Sequence, residues 1–339
     1  MTNHIKFIFF KNLQIYVLIT INIYLIKLKG RLKVKKSNNN VSQILLISTI
    51  GSLVFSVAGI FLGIVSNSDM VLLDGLYAVI SLAISSLSLF TSFVVKRPNR
   101  ESFPFGKYIF QPLTIVFNSS ILLLLCILSL ISSIYAIMHD GRIINANIGL
   151  AYGIFSFIGC GIICFLLSKN KHKSDLIYAE MLQWLLDTCV SFGLILGFIL
   201  IFFAKFIQLE WLIPYIDPIL VLIAGIILII MPIRLLLKNI KEIITMSASD
   251  DIQYAIYKTI KEMNVKYHIK EEDLRITKMG QIIYIDLQNI VDSNSDIKTI
   301  KEADQYRNEL IDNINSNFEN FDKWLNVSFT RQYYSRQIN

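Results

Sequence analysis

The chain has 339 residues, of which 54% are hydrophobic and only 17% are charged. Soluble globular proteins have about 45–50% apolar and about 25% charged residues, so this composition excludes a disordered chain, a coiled coil and an ordinary soluble enzyme. The net charge is +7, and the positions of the basic residues are more informative than their sum. The composition is typical of a protein that lies mostly in a lipid bilayer and has a smaller water-exposed part.

The first 40 residues form a basic segment with one short apolar run, Leu13–Ile26. This run has fourteen residues and is interrupted by Gln14 and Asn22, so it is shorter than the about 20 residues that a membrane-spanning helix needs. It also lacks the small-residue cleavage site of a signal peptide. An interfacial helix, an additional span and a dispensable leader stay open for this run, and we favour the first or the last.

Six apolar stretches follow, and each is long enough to cross a bilayer as a helix with its own backbone hydrogen bonds satisfied. Sixteen basic residues lie between Lys27 and the first stretch, in every second loop, and from Arg234 to Lys241 at the end of the sixth, whereas the opposite loops contain only Arg142 and Lys205. Because basic residues accumulate on the cytoplasmic side, residues 41–240 are predicted as an all-α six-helix transmembrane bundle with both termini in the cytoplasm. The stretches are Val41–Val65, Met70–Val95, Pro112–Met138, Ala146–Ser168, Leu176–Ala204 and Trp211–Leu237.

The composition becomes polar from residue 247 onward, and the patterns there predict a small cytoplasmic α+β domain over residues 247–339. The element order α-β-β-α-β is ferredoxin-like. A domain of this size suits a dimerisation or regulatory module better than an enzyme. The predicted elements are a helix Asp251–Met263, strands Leu274–Lys278 and Gln281–Ile290 around a turn at Met279–Gly280, a helix Ser295–Asn315 and a strand Trp324–Phe329.

Three acidic residues lie well inside apolar stretches: Asp74 in the second, and Glu180 and Asp187 in the fifth. A carboxylate in the middle of a membrane helix costs about 2.5–3.5 kcal/mol on insertion scales, so such residues are candidates for function. Helical spacing puts Glu180, Gln183 and Asp187 on one face, and Asp74 and Tyr77 on one face of the other helix. Two carboxylates and an amide oxygen predict a hard, oxygen-rich cation site made by Asp74, Gln183 and Asp187.

Two points qualify this site. Glu180 lies near the predicted cytoplasmic end of its helix, so an exposed position at the entrance is an equal alternative for it. At 1.5 Å per residue, Asp74 lies about 12 Å from Ser66, whereas Asp187 lies about 27 Å from Lys205 on the same side of the membrane. The two acids therefore meet only if the fifth helix is tilted or projects outward, or if the second helix starts deep and extends into the cytoplasm.

On the basis of these residues, the chain resembles the cation diffusion facilitator family of divalent-metal/proton antiporters over Ser42–Phe329. The resemblance depends on the six-span topology, the α-β-β-α-β tail, and the order and spacing of several segments. These are SDMVLLDGLYAVISL followed by FPFGKYIFQPL, and AEMLQWLLDTCVSFG followed by DPILVLIAG. It implies a metal site to which the second and the fifth span each contribute two ligands, four residues apart.

This chain departs from that pattern in both spans. The two positions of the second span are Asp74 and Ala78, and those of the fifth span are Gln183 and Asp187. Tyr77 and Glu180 are therefore auxiliary candidates for the missing contacts. In the tail, where the family often has zinc ligands, Glu272 and Asp286 are minor candidates.

The resulting hypothesis is a secondary active transporter, not an enzyme, that exports a divalent metal cation by proton antiport with alternating access. The metal is its substrate, no prosthetic cofactor is expected, and a homodimer in the plasma membrane is implied. Because Ala78 and Gln183 weaken the site, a non-transporting or regulatory, hetero-oligomeric member of the same fold is the alternative. A membrane enzyme is disfavoured by the absence of H-E-x-x-H and G-x-S-x-G motifs. Nucleic-acid binding is disfavoured because the basic residues follow the membrane boundary.

Overall fold

The computed structural model describes residues 39–65, 69–97, 101–139, 141, 146–318 and 321–331. The predicted apolar run Leu13–Ile26 lies outside these residues. By the pattern of its internal contacts the chain divides into residues 1–43 and residues 44–339. Residues 39–43 of the first unit are helical, and all described residues from residue 44 onward belong to the second unit.

Seven helices make up the first two thirds of the described chain. Five of the helical stretches are long and apolar enough to cross a membrane: Val41–Leu62, Tyr77–Val95, Phe110–Met138, Asp175–Phe206 and Ile213–Ile243. The fourth predicted span lies in a helix whose described apolar part, Gly153–Ser168, is shorter than these five. The total of six spans therefore stays a prediction, because it depends on this fourth helix. The helices are α1 (Asn39–Val65), α2 (Asp69–Val95), α3 (Phe110–Met138), α4 (Ala146–Ser168), α5 (Asp175–Phe206), α6 (Ile213–Leu228) and α7 (Ile230–Ile243).

The outward-facing surface of these helices is apolar. Phe117, Ile131, Phe165 and Phe202 are all more than half exposed, which would be unfavourable in water. The polarity is thus the reverse of that in a soluble protein: apolar side chains face outward, and serine, threonine, asparagine and glutamine side chains are buried between the helices. This arrangement fits a protein that is embedded in lipid, and it makes the interior the place to look for a polar site.

The last predicted span, Trp211–Leu237, is divided into α6 and α7 at Ile229. Pro232 lies four residues after Leu228. Its ring collides with the carbonyl group of that residue in a regular helix, and it has no N–H to donate. The hydrogen-bond ladder is therefore interrupted at this one residue, while Ile213–Ile243 remains one apolar stretch that is long enough to span a membrane.

The tail has the predicted order α-β-β-α-β. Strand β2 is central: it pairs with β1 in antiparallel fashion and with β3 in parallel fashion. One face of the sheet packs on the two helices through fully buried side chains such as Ile256, Ile260, Ile283, Tyr306 and Leu310. The elements are α8 (Asp250–Lys266), β1 (Glu271–Met279), β2 (Ile282–Ile290), α9 (Ile300–Asn317) and β3 (Asp322–Thr330).

Helix α9 begins later than the sequence pattern indicated. The predicted start was Ser295, but the helix begins at Ile300 with Thr299 as its N-cap. The Thr299 hydroxyl accepts a hydrogen bond from the Glu302 amide, and the Glu302 carboxylate accepts one from the Thr299 amide. This capping box satisfies two backbone donors at once, so it determines the start of the helix more strongly than a lone serine does.

A buried lysine joins the tail to the membrane helices. The Lys278 ammonium donates to Asp175 Oδ2 at the start of α5 (2.6 Å) and to Glu242 Oε1 at the end of α7 (2.8 Å). Glu242 Oε2 also accepts from the Gly280 amide in the β1–β2 turn (2.9 Å), and Asp175 Oδ1 accepts from the more exposed Lys238. The tail is therefore tied to two membrane helices by one ion network.

The loop after α2 also contacts the tail. The Tyr108 hydroxyl donates to Asp322 Oδ2 (2.6 Å), the Tyr284 hydroxyl donates to the Phe105 carbonyl oxygen (2.8 Å), and the Phe105 ring meets the Trp324 ring edge to face. The C-terminal end of α2 and the N-terminal end of α5 thus lie on the same, tail-facing side of the bundle. The two helices consequently run antiparallel.

Candidate functional site

The predicted ligands of α5 lie on the interior side of the helix. Gln183 is 2% exposed, and its Nε2 has no hydrogen-bond partner in the described part of the chain. Asp187, one turn further along, is partly exposed and lies close enough to the Cys126 thiol of α3 to act on it electrostatically. The Asp187 carbonyl accepts a hydrogen bond from the Ser191 hydroxyl. Gln183 and Asp187 therefore present an amide and a carboxylate on the interior of α5.

On the other helix, α2 carries Asp74 in its first part, and the side chain of Asp74 lies outside the described atoms. Its neighbour Gly75 packs against the backbone of α1 so closely that an added Cβ would collide with Gly59 and Ile60. Tyr77 is 49% exposed. The part of α2 that carries the predicted ligand is therefore held directly against α1.

A hydrogen bond sets the register between the two helices that carry the predicted ligands. The Ser85 hydroxyl of α2 donates to Glu180 Oε2 of α5 at 2.6 Å, so these two residues lie at the same level. At 1.5 Å per residue, Asp74 lies about 16 Å from this level and Asp187 about 10 Å, both in the direction away from the tail. Along the bundle axis the two acids are thus separated by about 6 Å, not by the about 15 Å that the predicted span ends imply.

The two acids were expected to approach each other only if the fifth helix projects outward or the second helix starts deep in the membrane. From the Ser85–Glu180 level, α5 extends to Phe206 and α2 begins at Asp69, so α5 projects about 15 Å further from the tail than α2 does. Toward the tail, α2 extends beyond the start of α5. Ala78 of α2 lies seven residues from Ser85, and Asp187 of α5 lies seven residues from Glu180 in the same direction. Ala78 is therefore the residue of α2 that lies at the level of Asp187.

Glu180 is the centre of a buried polar cluster. It is 1% exposed, so the alternative of an exposed entrance position is wrong. Its Oε2 accepts hydrogen bonds from the hydroxyls of Ser48 on α1 and Ser85 on α2, both at 2.6 Å. Its Oε1 has no partner within hydrogen-bond geometry among the described residues. The Ser48 hydroxyl in turn accepts from Trp184 Nε1 at 2.7 Å, which orients its proton toward the carboxyl group.

The cluster continues from α2 to α3. The Ser88 hydroxyl lies beside the Glu180 carboxyl group and accepts a hydrogen bond from Asn118 Nδ2 at 3.0 Å. Asn118 is 3% exposed, and its Oδ1 has no hydrogen-bond partner in the part of α3 and its neighbours that the structure describes. Three helices therefore contribute hydroxyl and amide groups around one carboxyl group of α5.

The sequence analysis missed the serines and Asn118. A signal was present, because Ser48, Ser52 and Ser56 recur every four residues on α1, and the serines of α2 recur at helical spacing as well. Serine costs little in a membrane helix, since its hydroxyl can donate to a carbonyl group of the same helix. A serine stripe by itself therefore indicates a close helix contact as readily as a site.

The two minor candidates in the tail lie apart from each other. Glu272 is paired with Asn289 and Asp286 with Arg275 in the β1–β2 ladder, so their side chains point to opposite faces of the sheet. Glu272 forms an ion pair with Lys261 at 2.9 Å, and Asp286 accepts a hydrogen bond from an asparagine of β3 at 2.8 Å. One ion cannot be bound by both.

In the part of the chain whose side chains are described, no group of three or more histidine, cysteine, aspartate or glutamate residues is arranged to hold a metal ion. The side chain of Asp74 is not in that part. Residues 45–244 match the family model of the cation efflux transmembrane domain, which is more than half of the chain. The chain belongs to the cation efflux family. None of the curated proteins matches it.

Membership of the cation efflux family has direct consequences for this chain. It is an integral membrane protein, with several apolar helices that are long enough to span a bilayer. Cation efflux proteins are transporters rather than enzymes, and metal cations are their substrates. The resemblance predicted from the SDMVLLDGLYAVISL and AEMLQWLLDTCVSFG segments is confirmed, since both lie within the matched residues.

Proposed function

We propose that this cation efflux protein exports a divalent metal cation by proton antiport, with alternating access to a site made by Asp74, Gln183 and Asp187. The observation that carries the proposal is the register between α2 and α5, which brings Asp74 and Asp187 to within about 6 Å of each other along the bundle axis. Tyr77 is an auxiliary contact in this proposal. Glu180 was predicted in the same role, and its carboxyl group accepts hydrogen bonds from the serine hydroxyls of α1 and α2.

The ligand chemistry suggests which metals to test first. Carboxylate and amide oxygens suit hard cations such as Mn²⁺, Fe²⁺ or Mg²⁺ better than Zn²⁺, which favours nitrogen and sulfur ligands. Metal binding requires ionised carboxylates, so protons compete with the metal for Asp74 and Asp187. Uptake of protons on the outer side then releases the metal, and loss of protons on the inner side restores the site.

The remaining parts of the proposal concern organisation. Residues 41–240 form a six-span transport domain in the plasma membrane with both chain ends in the cytoplasm. Residues 1–40 precede it as a basic segment, and residues 247–339 form a cytoplasmic module that holds two copies of the chain together. The basic loops support this orientation. They lie at the tail-facing ends of α2 and α5, on the side of the ion network around Lys278.

The second candidate function is a non-transporting or regulatory, hetero-oligomeric member of the same family. A specific observation favours it: Ala78, which has no ligand atom, stands at the level of Asp187, where the family resemblance implies a second ligand from α2. The two candidates make opposite predictions for transport by the purified chain.

Proteoliposomes that contain the purified full-length protein test both candidates. A panel of divalent cations is offered, and metal uptake and proton release are followed together. We expect metal-dependent proton flux in the wild type and its loss in Asp187→Ala, because the variant removes one of two charged ligands. The matched control is Cys189→Ala on the same helix, which keeps all proposed ligands and should keep the flux.

Two outcomes of this experiment would contradict the proposal. Wild-type flux in Asp187→Ala, with correct membrane insertion of both proteins, refutes the proposed ligand set. Silence of the wild type toward every metal in the panel refutes transport by this chain alone and favours the regulatory candidate.

A further inference from the structure

Glu180 presents an electrostatic problem that the proposed metal site does not solve. Its carboxyl group is 1% exposed, and no lysine, arginine or histidine of the described residues bonds to it. A carboxylate in a low-dielectric interior is very unfavourable unless a positive charge accompanies it. Hydroxyl groups offset only part of that cost, since they supply dipoles and no charge.

Three neighbouring helices contribute uncharged groups around Glu180. Helix α1 contributes Ser48 and α2 contributes Ser85 and Ser88, while Asn118 of α3 is joined through Ser88. On α4, the Cys164 thiol contacts the backbone next to Glu180 at the Met181 carbonyl. The positive charge therefore has to come from a bound cation.

Two oxygen atoms in the cluster have free acceptor capacity. Both hydroxyl bonds to Glu180 converge on Oε2, and Oε1 has no partner among the residues described. Asn118 is independently tied to the cluster through Ser88, and its buried Oδ1 likewise has none in that part of the chain. A carboxylate oxygen and an amide oxygen beside serine hydroxyls are the donor types that small, hard cations prefer.

The charge of the cluster selects the class of cation. Glu180 contributes one negative charge, and no second acid bonds into the cluster as described. A divalent ion would leave a net positive charge inside the bilayer, whereas one monovalent cation gives neutrality. The cluster also lies about 10 Å from Asp187 along α5, so it does not share an ion with that ligand.

We propose that Glu180, with Ser48, Ser85 and Asn118, binds one monovalent cation, a proton or an alkali metal ion, that is exchanged against the transported metal. The exchange role rests on the proposed function, whereas the binding site itself does not. Uptake of the cation neutralises Glu180, and its release leaves a carboxylate that only the neighbouring hydroxyls of Ser48, Ser85 and Ser88 stabilise. The two sites are linked mechanically because both belong to α5.

Thermal unfolding of the purified full-length protein tests the site without any transport measurement. The melting temperature is measured between about pH 5 and pH 9, a range that includes titrations of buried carboxyl groups, in sodium, potassium or choline chloride. A cation that binds only the folded protein raises its melting temperature in proportion to the logarithm of its concentration at saturation. We expect such a dependence in the wild type and its loss in the isosteric, uncharged Glu180→Gln.

The matched control is Ser56→Ala. Ser56 is a buried serine on α1, eight residues beyond Ser48, and it forms no described hydrogen bond to Glu180, so this variant should keep the cation dependence. Ser85→Ala supplies a second test if Glu180→Gln fails to fold. Because Ser85→Ala removes one hydroxyl donor to the carboxyl group, it should change the pH or cation dependence of the melting temperature from that of the wild type.

Infrared spectra identify the bound cation, and the metal flux separates the cation site from the proposed function. In pH-difference infrared spectra, a protonated-carboxyl band that is present in the wild type and missing in Glu180→Gln identifies the proton. Dependence on sodium or potassium without that band identifies the alkali ion. If the wild type shows this cation dependence but no metal flux, the proposed function fails and the cation site stands.

The cation site is refuted by either of two results. One is a wild-type melting temperature that depends neither on pH nor on an alkali cation. The other is a dependence that persists unchanged in Glu180→Gln and in Ser85→Ala, whatever the metal flux.

Discussion

Replacement of Lys278 by methionine tests whether the ion network holds the tail against the membrane helices. The side chain of Lys278 is 8% exposed and that of Glu242 9%, so the substitution leaves a nearly buried carboxylate with the Gly280 amide as its main donor. Removal of one partner of a buried ion pair costs about 3–5 kcal/mol. Asp175 is 20% exposed and keeps Lys238, so we expect the lower end, about 3 kcal/mol, for the docking of the tail.

Hydrogen–deuterium exchange measures this loss at the site itself. The Gly280 amide donates to Glu242 Oε2 and reports directly on docking. A loss of about 3 kcal/mol should accelerate its exchange by more than about a hundredfold. The matched control is Lys238→Met, which breaks a bond to the same Asp175 from a lysine side chain that is 49% exposed and should cost at most about 1 kcal/mol. Equal exchange of the Gly280 amide in the two variants would refute the reasoning.

The same network predicts a pH dependence. Burial by itself would lower the pKa of Lys278, but the charges of Asp175 and Glu242 and the hydrogen bonds to them outweigh it, so the pKa is raised. A raised pKa means that the contribution to docking is complete below the value of an unfolded lysine, about 10.4, and disappears as the pH rises through the folded value. Protection of the Gly280 amide in the wild type should therefore fall in that alkaline range, and Lys278→Met should lack this step.

Two further substitutions test local features of the tail. Gly280 has a φ angle of +60°, and an added Cβ would collide with the Gln111 side chain, so Gly280→Ala should weaken docking by about 1–2 kcal/mol in the same exchange measurement. The buried Tyr306 hydroxyl donates to Asn264 Oδ1 at 2.7 Å, so Tyr306→Phe should lower the free energy of unfolding of the tail in the full chain by about 1–3 kcal/mol. Burial raises the pKa of Tyr306 to about 12, so its protonated form contributes stability that is lost between about pH 10 and pH 12, and the phenylalanine variant should lack this loss in an alkaline denaturation series.

The position of Asp74 relative to Asp187 shows why a site between helices is difficult to predict. The sequence places each acid along its own helix, and span ends estimated from apolarity suggested a mismatch of about 15 Å. A single contact, from Ser85 to Glu180, reduces the axial distance to about 6 Å. Apolar length determines that a helix crosses the membrane, but the shift of one helix against another depends on contacts between residues far apart in the chain.

The sequence by itself determined the elements whose signals are local: the apolar helices, the polar tail, its α-β-β-α-β order and the hairpin turn at Gly280. These follow from helical and strand periodicity, from apolar length and from the freedom of glycine to adopt positive φ. The tertiary structure alone decided that Glu180 is buried among serines and that Lys278 links two membrane helices to the tail. In a membrane protein lipid-facing and interior-facing side chains are both apolar, so the pattern along one helix does not reveal its neighbours. The partners of a polar residue are therefore determined only when the helices pack.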